Sequence, residues 1–180
     1  MTEKLYYKDS HMRSFTVTVL ECKQTEEAYE AVLDRTAFFP EGGGQCADIG
    51  TLGDARVLDV QEKDGVIYHT LDKALEVGAA YDAEIDWELR FSAMQQHSGE
   101  HIVSGIVHRL YGYQNIGFHM GKDAITMDFD GVLTKQQLRE IEYLANEVVV
   151  RNAEITTLFP TKEELHTMSY RSKMEIPGQV

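Results

Sequence analysis

The chain has 180 residues, 43% hydrophobic and 26% charged, with 14 glycines and 3 prolines. This composition supports one ordinary domain or two small ones with a buried core. It excludes a disordered tail, a collagen-like repeat and a disulfide-stapled miniprotein.

The first half reads as strands and turns. Phe15-Thr16-Val17-Thr18-Val19-Leu20 alternates and is rich in β-branched residues, and Tyr29 to Leu33 follows it. Arg56 to Gln61 and Val66 to Leu71 flank Lys63-Asp64-Gly65, whose Asp-Gly step signals a hairpin. Tyr81 to Trp87 alternates again. Five or six short strands separated by turns predict a small antiparallel barrel.

The period then changes. Ser92 to Leu110 is predicted helical, with Gly112 as a left-handed cap. Gly117 to Met120 and Ile125 to Phe129 read as a strand pair. Thr134 and Gln137 form a capping-box pair opening a helix with Leu138, Ile141, Leu144, Ala145, Val148 and Val149 on one face. Glu154 to Phe159 reads as a strand, and Thr161 with Glu164 as the cap of a short helix. The fold class is therefore α+β, with a barrel domain over 1–88 and an α+β domain over 89–180.

Net charge is −13, divided as −11 over residues 1–88 and −2 over residues 89–180. An acidic surface repels phosphate backbones, so the second half or a partner is expected to meet any nucleic acid. Two cysteines, Cys22 and Cys46, are too few for a disulfide framework and point to a reducing compartment. No apolar stretch approaches the roughly 18 residues of a membrane helix, and Met1 to Ser10 is polar. A soluble, cytoplasmic chain without membrane contact is expected.

Two segments carry candidate chemistry. The first is Thr36-Ala37-Phe38-Phe39-Pro40-Glu41-Gly42-Gly43-Gly44-Gln45. Three consecutive glycines serve unusual dihedrals or the close approach of another group. The segment is either a wide turn between strands or a loop whose N–H groups and Gln45 amide face a ligand. It lacks the Gly-Lys-Ser/Thr of a phosphate-binding loop.

The second is His97-Ser98-Gly99-Glu100-His101. Positions i and i+4 share a helix face, so both imidazoles can reach one metal ion. The plainer alternative is two histidines on a polar face. Gly99, inside a helix, suggests a close packing partner. His108 lies about 10 Å further along the axis and reads as a surface residue. His119, on the strand after the helix, is either near the pair by fold-back or on an ordinary strand face. Asp128 reads as solvent-facing, and His69 and His166 carry no signal.

Together these segments resemble the AlaX-type alanyl-tRNA editing proteins and the editing domain of alanyl-tRNA synthetase. Lys4-Leu5-Tyr6-Tyr7 with Asp9-Ser10 resembles the family's opening. Thr36 to Gln45, continuing through Asp48 and Gly50, resembles its glycine-rich signature, and His97 to His101 its first metal half-site. The resemblance implies a translation-protein-like antiparallel β-barrel followed by an α+β editing domain of the threonyl/alanyl-tRNA synthetase type. It implies hydrolysis of alanine tRNA mischarged with serine, and in some members glycine. Thr36 would contact the serine hydroxyl. Gly42, Gly43, Gly44 and Gln45 would line the pocket around the ester, with His119 as a further catalytic candidate. His97 and His101 would hold Zn²⁺.

The family's second half-site is a downstream Cys-x-x-x-His segment, and this chain stops at Val180 before one. Neither Cys22 nor Cys46 is followed by histidine at that spacing. The chain is therefore expected to lack its C-terminal part, including the DHHA1-type domain of long family members, and to bind zinc weakly or not at all. The start at Met1 without a synthetase core favours a freestanding protein. Two other readings stay open. One is a His-x-x-Glu-His zinc peptidase, with Glu100 as base and Glu140, Glu142 or Glu147 as third ligand. The other is a non-catalytic domain that binds aminoacyl-tRNA.

Overall fold

A computed structural model describes residues 2–121, 124–156 and 158–170. In chain order the elements are β1 (Glu3–Lys4), a 3-10 turn (Leu5–Tyr7), β2 (Ser14–Gln24), β3 (Tyr29–Leu33), β4 (Arg35–Thr36), β5 (Gly50–Leu52), β6 (Ala55–Lys63), β7 (Val66–Leu71) and β8 (Ala80–Ile85). Then come α1 (Trp87–Tyr111), β9 (Asn115–Met120), β10 (Ile125–Phe129), α2 (Lys135–Val150) and α3 (Lys162–Thr167). The chain divides into two compact units, Met1–His97 and Ser98–Val180, with the division inside α1. Among the described residues no helix is long and apolar enough to cross a membrane.

In the first unit β2-β3-β7-β6-β5-β8 close into an antiparallel barrel, while β1 and β4 form a separate parallel pair. The Asp64-Gly65 step makes the β6–β7 turn with both residues at positive φ, 52° and 77°, as a two-residue hairpin of matching twist requires. Register shifts occur between Val19 and Glu21 in β2 and between Val57 and Asp59 in β6. Each shift leaves one leucine, Leu20 or Leu58, on the exposed side. In β6 the bulge also changes parity, so Ala55 and Val57 point inward before it and Val60 after it. Val17, Val19, Leu33, Phe38, Leu52, Ile67 and Leu71 fill the interior.

The short strands β1, β4 and β5 escape sequence reasoning, because two or three residues are too few to show a period, and Trp87 opens α1 instead of ending β8. The helix start has a local cause: Asp86 Oδ1 accepts the Leu89 N–H at 3.2 Å, and the Asp86 carbonyl accepts the Arg90 N–H.

In the second unit the C-terminal half of α1 packs Ile106 and Val107 with Ile141 of α2, flanked by Tyr113, Phe129, Leu144 and Ala145. Gly112 ends α1 at φ 74°, its N–H donating to the His108 carbonyl. Both capping boxes form, Thr134 with Gln137 and Thr161 with Glu164. The expected apolar face of α2 is narrower than its sequence: Leu138 and Val149 are exposed. The expected strand from Glu154 to Phe159 is absent among the described residues. Ile155, Leu158 and Phe159 are exposed there, and no described strand pairs with the segment. Residues 174–180 lie outside the described residues.

Candidate functional site

The glycine-rich segment is a tight hairpin. Gly42 and Gln45 exchange both backbone hydrogen bonds, at 3.1 and 3.0 Å. The two residues between them, Gly43 and Gly44, hold φ at 62° and 84°. Both central residues at positive φ explain the glycines better than flexibility does. A Cβ on Gly43 would sit 3.6 Å from His97 Cε1, in ordinary contact, so the hairpin packs closely on that ring. Replacing Gly44 by alanine is expected to cost about 1–2 kcal/mol through φ strain alone. Urea unfolding of Gly44→Ala beside wild type measures it.

A buried ion pair fixes the base of this hairpin. Arg90 on α1 donates to Asp48 Oδ2, and both side chains are 3% exposed. The same guanidinium donates to the carbonyls of Ala37 and Ser10, each at 3.3 Å. Asp48 Oδ2 also accepts the Phe39 N–H at 2.7 Å, and the Asp48 N–H returns to the Phe39 carbonyl at 2.9 Å. One helix residue thus ties both ends of the 39–48 loop. Burial pushes the Asp48 carboxyl upward, opposed by Arg90.

Gln45 is 5% exposed, and its Oε1 lies 3.0 Å from His97 Nδ1. A carbonyl oxygen only accepts, so Nδ1 carries the proton and Nε2 keeps its lone pair. The hairpin therefore sets the tautomer of the first histidine of the His-x-x-x-His pair.

Thr36 faces inward. It is fully buried, and its Oγ1 lies 2.9 Å from His69 Nε2 while accepting the Phe38 N–H at 3.1 Å. His69 Nδ1 donates to the Ala31 carbonyl at 3.3 Å, so Nε2 accepts the threonine proton. Burial lowers the His69 pKa to about 4, and the ring stays neutral. Sequence reasoning gave His69 no role. The available signal was parity: Ile67, His69 and Leu71 share the inner side of β7, and all three are fully buried.

On α1, the donor atoms of His97, Glu100 and His101 lie within 4.8 Å of one another. Glu100 is 2% exposed, whereas the His101 side chain is 61% exposed. Gly99 meets nothing within 4 Å of a notional Cβ, so the expected close partner is not found among the described residues. His119 sits on β9 opposite Thr126, exposed, and is not in the His97–Glu100–His101 group. Asp128 is exposed opposite Gly117, where a Cβ would come within 2.8 Å of its carboxylate. His108 Nδ1 meets the Gln114 amide at 3.0 Å, and His166 is exposed on α3.

Comparison with known proteins agrees with this architecture. The profile of the tRNA synthetases class II (A) family matches residues 1–89. The chain is 31% identical over 159 residues to alanyl-tRNA editing protein AlaX-L of Pyrococcus horikoshii, covering 84% of this chain and 39% of that protein. It is 33% identical to alanyl-tRNA editing protein Aarsd1 of Rattus norvegicus, covering 81% and 39%. With alanine–tRNA ligase of Ignicoccus hospitalis the identity is 35%, covering 82% and 17%. The antiparallel barrel and the helices are consistent with a class II tRNA-synthetase-like domain. Within that class the family model and these relatives support an AlaX-type alanyl-tRNA editing domain. It spans about two-fifths of the length of the editing proteins it matches.

Proposed function

We propose that the chain deacylates mischarged alanine tRNA, with Ser-tRNA(Ala) as principal substrate and Gly-tRNA(Ala) as a second. In this reading residues 1–88 are a translation-protein-like barrel, and residues 89–180 an editing domain of the threonyl/alanyl-tRNA synthetase type. The names of its relatives support tRNA as partner. The observation that carries the reading is the bond from His97 Nδ1 to Gln45 Oε1. It joins the two segments that carry the sequence resemblance, the glycine hairpin and the histidine helix.

An aminoacyl ester is already activated, so positioning water and stabilising an oxyanion suffice for hydrolysis. The two imidazoles are ligands of the kind zinc takes and fit one half of the site the family implies, with Glu100 beside them. His97 and His101 would hold the ion, and bound Zn²⁺ would supply a Lewis acid for the ester or the terminal ribose. Gln45 holds His97 in the ligating tautomer. Gly42, Gly43 and Gly44 keep the backbone low enough for the ester to approach. Thr36 contributes its hydroxyl: one lone pair takes Phe38 N–H and the proton goes to His69, which leaves one lone pair for a serine hydroxyl. Because Thr36 is fully buried, reaching it requires local opening of the surrounding segment. Alanine would forgo that hydrogen bond, a discrimination of about 1–3 kcal/mol.

The peptidase alternative needs Glu100 as an accessible base. Its near-complete burial, together with the hydrogen bond from Tyr111 to Glu140 at 2.8 Å, weighs against that use. In a single-turnover assay on serine-charged and alanine-charged alanine tRNA, the protein is expected to hydrolyse the former preferentially. In the full-length protein, His97→Ala and His101→Ala are each expected to slow hydrolysis at least about tenfold, about 1.4 kcal/mol of activation barrier, and to lower zinc content. Unchanged hydrolysis in both variants would remove the assignment.

A further inference from the structure

The second unit contains a buried polar cluster that the proposed chemistry does not use. Ser104 Oγ donates to Glu100 Oε1 at 2.5 Å, and Asn115 Nδ2 donates to the same oxygen at 2.6 Å. Asn115 Nδ2 also donates to Ser104 Oγ at 2.9 Å, while Asn115 Oδ1 accepts the Gly117 N–H at 3.0 Å. Glu100, Ser104 and Asn115 are 2%, 0% and 7% exposed. Two neighbouring elements, α1 and β9, therefore clamp one carboxylate oxygen. The other oxygen, Oε2, lies 3.3 Å from His101 Nδ1, an ion-pair distance at which the two atoms do not meet hydrogen-bond geometry.

We propose that Glu100 is a positioning residue: its clamped carboxylate, at ion-pair distance from His101 Nδ1, holds the ring proton on that nitrogen and so turns the Nε2 lone pair toward a metal ion. This rests on the reading of His97 and His101 as metal ligands. The burial contrast assigns the roles. Glu100 stands behind the ring with its side chain 1% exposed, whereas the His101 ring is largely open to solvent. An ion arriving from solvent meets the imidazole, and the carboxylate supports the imidazole from the interior side. A histidine ligand commonly gives its other N–H to a carboxylate or carbonyl, which fixes the tautomer and raises ligand basicity. His97 has a full hydrogen bond at the same nitrogen, to Gln45 Oε1. Each histidine of the pair thus has an oxygen close to Nδ1, supplied by a different part of the sequence.

Glu100→Gln tests this with little change of shape. The Gln carbonyl oxygen must stay with the Ser104 and Asn115 donors, so its NH₂ faces His101 Nδ1. A donor there forces the ring proton to Nε2 and occupies the ligating position. Ring ¹⁵N shifts and long-range ¹H–¹⁵N correlations of the metal-free full chain, recorded at about pH 8, above the ordinary imidazole range, read this directly. Wild type is expected to show His101 as the Nδ1–H tautomer and Glu100→Gln as the Nε2–H tautomer. Co²⁺ titration followed by visible absorption is expected to show affinity about 10–100-fold weaker in the variant.

An Nε2–H tautomer in wild type, or the same tautomer in both proteins, overturns the proposal. The wild-type spectrum decides the matter even if the variant does not fold. Ser104→Ala, which keeps Glu100 and removes one anchor, is expected to give a mixed tautomer population; an unmixed Nδ1–H ring there overturns the clamp. A tautomer change without Co²⁺ binding by wild type supports the orienting role of Glu100 and overturns the metal-site reading instead.

Discussion

Asp48→Ala is expected to lower the stability of the first unit by about 3–5 kcal/mol, the typical effect of removing one partner from a buried ion pair. The variant leaves the Arg90 guanidinium buried without its counter-charge. It also strips the Phe39 N–H of its side-chain acceptor. The pair itself need not be a net source of stability, since desolvating two charges offsets much of their attraction. The double variant Asp48→Ala/Arg90→Met is therefore expected to lose less than the sum of the two single variants. Urea unfolding of the four proteins measures the coupling. A double-variant loss equal to the sum of the two single losses would mean that the two groups act independently. The effect also reaches function, because Arg90 and Asp48 hold the loop that presents Gln45 to His97. Arg90→Met alone should thus slow the proposed deacylation although it touches no reacting atom.

The second large effect is acid lability through His69. Burial lowers its pKa to about 4 from the ordinary 6.5, so between these values the unfolded chain binds a proton that the folded chain does not. Stability then rises with pH across that window, and is lost as pH falls from about 6.5 to about 4. A shift of this size corresponds to about 3 kcal/mol. Urea midpoints recorded at neutral pH and near pH 4 should differ for wild type by this amount more than for His69→Gln. The glutamine offers an amide oxygen to Thr36 but has no proton to gain. Parallel pH profiles in the two proteins would refute the assignment. The two variants differ in kind: Asp48→Ala is defective at every pH, whereas the histidine makes wild type conditionally weak in acid.

Local chemistry was legible wherever one residue or a short spacing suffices. Asp64-Gly65, Gly112, and the Thr134 and Thr161 capping boxes each act over about four residues, and each appears where the sequence places it. The same holds for the five longer barrel strands, whose alternation survives in their burial. Reading failed where partners are distant in sequence. Glu154 to Phe159 has strand-like residues, but a strand exists only with a neighbour to pair. Trp87 fits the alternation of β8, yet the Asp86 cap opens a helix there.

The candidate site shows the same division. The glycine run and the His-x-x-x-His spacing were visible because each encodes a local geometry, a positive-φ turn and one helix face. The groups that aim them were invisible. Gln45 meets His97 across 52 positions, Thr36 meets His69 across 33, and Asp48 meets Arg90 across 42. Sequence by itself determined the family, the turn chemistry and the pair of imidazoles. Tertiary structure alone decided which ring nitrogen carries the proton, which carboxylate is buried and which histidine is neutral. Those properties depend on desolvation and on hydrogen-bond partners that only chain closure brings together.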